Sequence, residues 1–305
     1  MTSVNTPETE APSLPAILAL GEILWDLFED GRRLGGAPLN FGAHARELGH
    51  PVSLISALGA DALGAEAADL IGSLGLDCRF LQTDHDLPTG TARVRLGPDG
   101  SPQFEIPRPA AYDALETTEQ LIDQLGRSGH AWFYFGSLFA AIPSGRATLE
   151  RILDALDSTS TFLDLNLRPG CDMPDLVTEL LWRADVVKLN AAELAQVQSL
   201  TGLPRSLELF CPAAARRFGW RALAVTLGSR GCAIWAEGRY AEAPAHPVIV
   251  VDTVGAGDAF SAAFLHGLSQ RWPAARIADF ANRKAAGVAG RPGALPDSSP
   301  VDSTP

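Results

Sequence analysis

The residues best placed to do chemistry stand in one short stretch, Asp252-Thr253-Val254-Gly255-Ala256-Gly257-Asp258. A β-rich run, VIVV (248–251), precedes it, and a segment of helical composition, AFSAAFLHGL, follows. Gly255 and Gly257 allow the backbone to turn tightly and leave N–H groups uncovered. At a helix N-terminus such groups carry a partial positive charge that favours an anion. Asp258 then falls in the first helical turn, beside the anion pocket, where a carboxylate can take a proton from an incoming hydroxyl. The same residues would also serve an ordinary glycine turn with an aspartate cap.

Other groups suit a polyhydroxyl ligand and a phosphate. Asp26 closes the stretch Gly21-Glu22-Ile23-Leu24-Trp25-Asp26, and a carboxylate can accept from two vicinal hydroxyls at once. In Gly35-Gly36-Ala37-Pro38-Leu39-Asn40 the paired glycines permit a hinge, and the Asn40 amide can both donate to and accept from a hydroxyl. Asn190-Ala191-Ala192-Glu193 sets two polar side chains three positions apart at a helix start, on one side of it. Asp164-Leu165-Asn166-Leu167-Arg168 and Thr226-Leu227-Gly228-Ser229-Arg230-Gly231 follow apolar runs, and Asn282 lies on a polar helix face. Taken singly, these read equally as a strand-end aspartate, a glycine turn, a helix cap, a hairpin turn and a solvated face.

Composition removes several classes. The net charge of −12 argues against a nucleic-acid partner, which requires a basic surface. Lys188 and Lys284 are the only lysines. Cys78, Cys171, Cys211 and Cys232 form no Cys-x-x-Cys pair and the histidines no His-x-x-x-His, so reduced thiols in a cytoplasmic protein are expected rather than zinc. No apolar run approaches the roughly 18 residues of a membrane span, and MTSVNTPETEAPSLP has no secretory pattern. There is no G-x-x-x-x-G-K-[ST], and no G-x-G-x-x-G after the first strand, which disfavours P-loop enzymes and dinucleotide oxidoreductases.

The elements that must position these residues alternate in type. AILAL (16–20), VSLISA (52–57), WFYF (132–135), TFLDL (161–165), DVVKL (185–189) and LAVTL (223–227) read as buried strands. Phe41, Ala45 and Leu48, then Leu63, Ala67, Leu70, Ile71 and Leu74, then Leu149, Ile152, Leu153 and Leu156 recur at helical spacing. Such alternation predicts an α/β domain over 16–296, with a mainly parallel sheet and helices on both faces. Segments 22–36 and 89–110 break the rhythm. They predict a small antiparallel flap, usable as a lid, with one turn at Gly97-Pro98-Asp99-Gly100. Residues 1–15 and 297–305 have the composition of flexible tails.

In this order, over nearly the whole chain, the motifs resemble those of the ribokinase-like (PfkB) carbohydrate kinases. The resemblance implies a ribokinase-like, Rossmann-like three-layer sandwich with a small β lid. It implies Asp258 as the base, and Gly255, Ala256 and Gly257 as the anion hole. Asp26, Gly35, Gly36 and Asn40 correspond to the sugar side. Asn166, Arg168, Asn190, Thr226, Gly228, Gly231 and Asn282 correspond to the nucleotide side. Glu193 and Asn190 match a magnesium motif that acts through water, and Asp252 with the 287–293 loop matches a site for a monovalent cation such as potassium. ATP and a sugar are thus the implied partners of a monomer or homodimer. G-G-A-P-x-N, WDLF and the PTGT run (88–91) resemble fructokinases, and Ala37, where others carry Lys, suits an unphosphorylated sugar. Fructose to fructose 6-phosphate is the implied reaction; 2-keto-3-deoxygluconate, ribose or a nucleoside are the alternatives. A non-catalytic sugar sensor is expected to lose the base or the anion hole, and this chain keeps both. It departs from the family at Ala191, usually Pro, and at Arg283 and Lys284, on a helix that is small-residued near adenine.

Overall fold

The computed structural model describes residues 14–29, 31–96, 102–168 and 170–296; the turn expected at 97–100 and nearly all of both expected tails lie outside them. Along the chain, β1 (Ile17–Leu20), β2 (Leu24–Phe28), β3 (Gly31–Gly35), β4 (Val52–Gly59) and β5 (Asp77–Asp84) come first. They are followed by β6 (Gly90–Leu96), β7 (Pro102–Glu105), β8 (Trp132–Gly136), β9 (Ser160–Asp164) and β10 (Val186–Asn190). The last are β11 (Ala222–Thr226), β12 (Cys232–Ala236) and β13 (Arg239–Ala243). Nine of these form one sheet in the order β13-β12-β11-β10-β9-β8-β1-β4-β5. All its pairings are parallel except the two at the β11-β12-β13 end.

A parallel sheet covered on both faces needs apolar side chains at every position, which is why its strands read as continuous apolar runs. Successive residues feed opposite cores. Leu18, Leu20, Phe133, Phe135, Leu163 and Val187 face one side, where helices such as Pro143–Ala155 and Leu207–Phe218 pack. Ile17, Ala19, Tyr134, Phe162 and Val186 face the other, beneath the helices Ala37–Glu47, Ala256–Ser269 and Ala274–Ala289. On that side Phe41 stacks on Tyr134 with ring centroids 3.8 Å apart, seating the Ala37–Glu47 helix on the middle of the sheet. No helix among the described residues is long and apolar enough to cross a membrane.

Three expectations need correction. The flap is a mixed sheet, in the order β3-β2-β6-β7, rather than an antiparallel one. β2–β3 and β6–β7 are antiparallel hairpins, but β2 and β6 run parallel, Leu24 opposite Gly90. Both follow strands of the parallel sheet, β1 and β5, and so leave it in the same direction. The VIVV run is not a strand; it is exposed coil, with Ile249 88% accessible. β-propensity requires a neighbour to pair with, and the edge of the sheet is occupied by the β12–β13 hairpin. Finally, Gly287, Val288 and Ala289 do not belong to a loop but end the helix Ala274–Ala289, so the loop starts at Gly290.

Candidate active site

The first strand, β9, β10 and β11 all deliver polar residues at their C-terminal ends, the edge at which open α/β sheets bind ligands. Two clefts open there. One, of about 250 Å³, is lined by Glu22, Asp26, Asn40, Asn166, Arg168, Lys188, Asn190 and Asp258 among others. The second, of about 590 Å³, is lined by Gly228, Gly231, His246, Val248, Phe260, Asn282 and the alanines 285, 286 and 289 among others. Thr226, Thr253 and Gly257 line both, so the clefts meet at the glycine turn.

That turn is built as the sequence suggests. Gly255 caps the helix Ala256–Ser269 with φ 79°, and a Cβ there would lie 2.4 Å from the Ala294 Cβ, so only glycine fits. Asp258 sits in the first helical turn and is 9% exposed. The Asn40 Nδ2 donates to its Oδ2 at 2.8 Å. The Asn40 Oδ1 is buried and has no partner among the described residues, an unpaired acceptor beside the cleft. Burial pushes the Asp258 carboxyl up to about 7, and the Asp164 carboxylate pushes the same way against Asn40, Lys188 and Arg168.

Beneath the turn lies a buried ionic group that the motif reading missed. The Lys188 Nζ donates to Asp164 Oδ1 at 3.0 Å, and Ser261 Oγ donates to Asp164 Oδ2 at 2.7 Å. Burial works against the Lys188 charge, but Asp164, Glu193 and Asp258 outweigh it and raise the ammonium above its ordinary pKa. A Cβ on Gly257 would come within 3.3 Å of this ammonium, so the cation lies directly against the glycine turn. A lysine inside the apolar run DVVKL, in a chain with two lysines, was the available signal.

On the other side of the first cleft, Asp26 projects from β2 at 5% exposure. Burial lifts it to about 7; Arg168 opposes this, and Asp258, Asp252 and Glu22 add to it. Gly35 is needed here because a Cβ would sit 2.4 Å from Asp26 Oδ2. Gly36 has φ 113°, and a Cβ there would lie 2.3 Å from the Glu22 carbonyl. Glu22, also missed from the sequence, accepts from the Ala37 N–H at 3.1 Å and so holds the start of the helix that carries Asn40.

The remaining residues are divided between ligand-facing and structural positions. Asn166 and Arg168 line the first cleft, Asn166 with φ 41°. Asn190 Oδ1 accepts from the N–H groups of Ala192 and Glu193, both at 2.9 Å, while Glu193 accepts from Leu167 N at 2.9 Å and Asn190 N at 2.8 Å. This capping box needs no proline at 191. Asn282 faces the second cleft but donates to the carbonyls of Ala243 and Pro244, at 3.1 and 3.0 Å. Asp252 accepts from Val254 N at 3.0 Å and Gly293 N at 3.2 Å. Arg283 pairs with Asp279 on its own helix, and Lys284 reaches Glu47 at 2.8 Å, so neither lines either cleft. Among the described residues no cluster of three or more His, Cys, Asp or Glu is placed to hold a metal ion.

A three-layer body with a strand-end site and a separate small sheet defines the ribokinase-like class. Residues 22–301 match the pfkB family carbohydrate kinase, and the chain belongs to that family: it is a sugar kinase. It is 32% identical over 238 residues to fructokinase-1 of Zea mays, covering 76% of this chain and 72% of that one. It is 31% identical over 265 residues to the aminoimidazole riboside kinase of Salmonella typhimurium, covering 83% and 80%. A Pyrococcus horikoshii sugar kinase solved with ATP superposes with a TM-score of 0.77 at 27% identity, over 93% of this chain and 95% of that one.

Proposed function

We propose that the protein transfers the γ-phosphoryl group of ATP to the 6-hydroxyl of fructose. The observation that carries this reading is the junction of two clefts at the glycine turn, with Asp258, a buried carboxylate, in the first cleft and the Lys188 ammonium against the turn. The sugar occupies the first cleft, with Asp26 and the unpaired Oδ1 of Asn40 on its hydroxyls. ATP occupies the second, its base against the apolar wall of Phe260 and the alanines, its phosphates reaching the turn; use of ATP is in keeping with the Pyrococcus relative, which was solved with it. As the sugar oxygen bonds to the γ-phosphorus, its proton passes to Asp258 and the bond to the departing ADP breaks. The N–H groups around Gly255–Gly257 and the Lys188 ammonium stabilise the charge on the phosphoryl oxygens, the main task in phosphoryl transfer.

Magnesium held on the ATP phosphates would supply further charge neutralisation. The donor set fits it only at one remove, since both Glu193 oxygens already accept backbone N–H groups; Asn190 and Glu193 would act through water. Asp252 and the loop from Gly290 are where a monovalent cation would bind, beside the turn. The small sheet β3-β2-β6-β7 serves as the lid over the sugar.

The riboside kinase relative favours a nucleoside as second reading. The first cleft, about 250 Å³, falls below the roughly 300–1,000 Å³ typical of larger ligands and suits a monosaccharide better. The test of the mechanism is Asp258→Asn. It should lower kcat by about 10²–10⁴, the range for loss of a general base, with a nearly unchanged fructose Kd. A variant that keeps wild-type kcat would remove Asp258 from the reaction.

A further inference from the structure

The helix Ala37–Glu47 bonds twice to residues on either side of the glycine turn. Asn40 bonds the base itself, and one helical turn later His44, fully buried, bonds the loop behind it. The His44 Nε2 lies 2.8 Å from the Ala294 carbonyl oxygen. A carbonyl only accepts, so Nε2 carries the proton and donates. The other ring nitrogen, Nδ1, lies 3.5 Å from Glu47 Oε2, which Lys284 holds at 2.8 Å from the last helix. Nδ1 is buried with no hydrogen-bond partner among the described residues, so the ring is oriented through Nε2. Ala294 in turn lies against Gly255: a Cβ on that glycine would be 2.4 Å from the Ala294 Cβ and 2.9 Å from its carbonyl oxygen. Nothing in the sugar or nucleotide cleft explains a fully buried histidine here, since His44 lines neither.

We infer that His44 is a positioning residue for phosphoryl transfer, fixing the Gly293–Ala294 backbone so that Gly255 presents its turn to the transferred group. The inference rests on the reading of Asp258 and the glycine turn as the reaction centre. Asn40 and His44 leave one rigid helix, so the base and the turn are held in register by a single element. A shift of the Ala294 carbonyl would move the Gly255 turn against Asp258 while leaving Asp26 and Asn40 in place. The loss should then fall on the chemical step rather than on sugar binding.

The experiment compares His44→Met, His44→Asn and His44→Gln with Asp258→Asn in the full chain. It follows ADP release with fructose and ATP, fructose binding by calorimetry, and thermal unfolding. Met removes the donor; Asn keeps an amide that falls short of the carbonyl; Gln keeps a donor of longer reach. His44→Met and His44→Asn should lose about 10- to 100-fold in kcat, the scale of a misplacement near 1 Å, with little change in fructose Kd. His44→Gln should recover most of the loss. Should His44→Met fail to fold, His44→Asn decides. Wild-type kcat in His44→Asn, a fructose Kd that weakens as much as kcat falls, or a Gln variant no better than Asn would overturn the inference. If Asp258→Asn collapses while His44→Asn is unaffected, only this inference falls. If Asp258→Asn also keeps its rate, the reading of the centre falls with it.

Discussion

Asp258 and Asp26 are both lifted by burial to about 7, although one is read as base and the other as sugar ligand. Each role needs the ionised form, because a protonated carboxyl cannot take the proton, and one of its two oxygens becomes a donor instead of a charged acceptor. Below about 7 both groups bind protons, so kcat/KM for fructose should rise with pH and level off above about 7. The two carboxylates repel each other, so the acid limb belongs to the pair, with a slope approaching two on a logarithmic plot. Asp26→Asn should reduce that slope toward one; a profile flat from pH 5 to 8 would contradict both assignments. Asp26→Ala should lower kcat/KM for the sugar about 30- to 1000-fold, the cost of losing about 2–4 kcal/mol of charged hydrogen bonding. Affinity for a non-hydrolysable ATP analogue should stay near wild type, and an equal loss for both ligands would place Asp26 outside the sugar site. These residues were legible because each stands in a short run of unusual types: a glycine turn, a Gly-Gly-x-x-x-Asn, a strand-end Asp. Lys188, Glu22 and His44 were not, because their meaning depends on distant partners. The Lys188 carboxylate comes from 24 residues earlier, and the carbonyl that His44 bonds from 250 residues later.

At the scale of elements, the fold places conflicting demands on glycines that look alike in sequence. Gly31 begins β3 and Gly36 follows its end, and both have positive φ. A Cβ on Gly31 meets nothing within 4 Å among the described residues, so Gly31→Ala should cost only backbone strain, about 1–3 kcal/mol. A Cβ on Gly36 meets the Glu22 backbone at 2.3 Å, at the joint between the small sheet and the helix bearing Asn40. Gly36→Ala should therefore cost clearly more in denaturant unfolding, and should change kcat and KM together, as hinge substitutions do. Equal losses for the two variants would contradict a hinge at Gly36. The body strands were readable from their unbroken apolar runs, because burial on both faces leaves little choice of residue. The β12–β13 hairpin was harder to see: its turn is Glu237-Gly238, both with positive φ, and Glu lacks the usual Asn or Asp signal. The β2–β6 pairing was not legible at all, since no local pattern ties Leu24 to Gly90.

Across the whole molecule, a chain of net charge −12 must bind a polyanion. The field of the protein as a whole repels ATP, so attraction has to be local: a helix N-terminus, Lys188 and Arg168 gathered at one end of the sheet. That need makes a cation beside the turn valuable. Potassium should raise kcat over an equal concentration of tetramethylammonium, and equal rates in the two salts would remove the monovalent site from Asp252. The most direct measurement is ADP release across a panel of sugars and nucleosides, with the phosphorylated product identified by phosphorus NMR. The two-cleft account predicts the highest kcat/KM for fructose and a phosphate ester on its 6-hydroxyl. If no sugar raises ADP release above the rate with ATP alone, or if a nucleoside is the preferred acceptor, that account is contradicted.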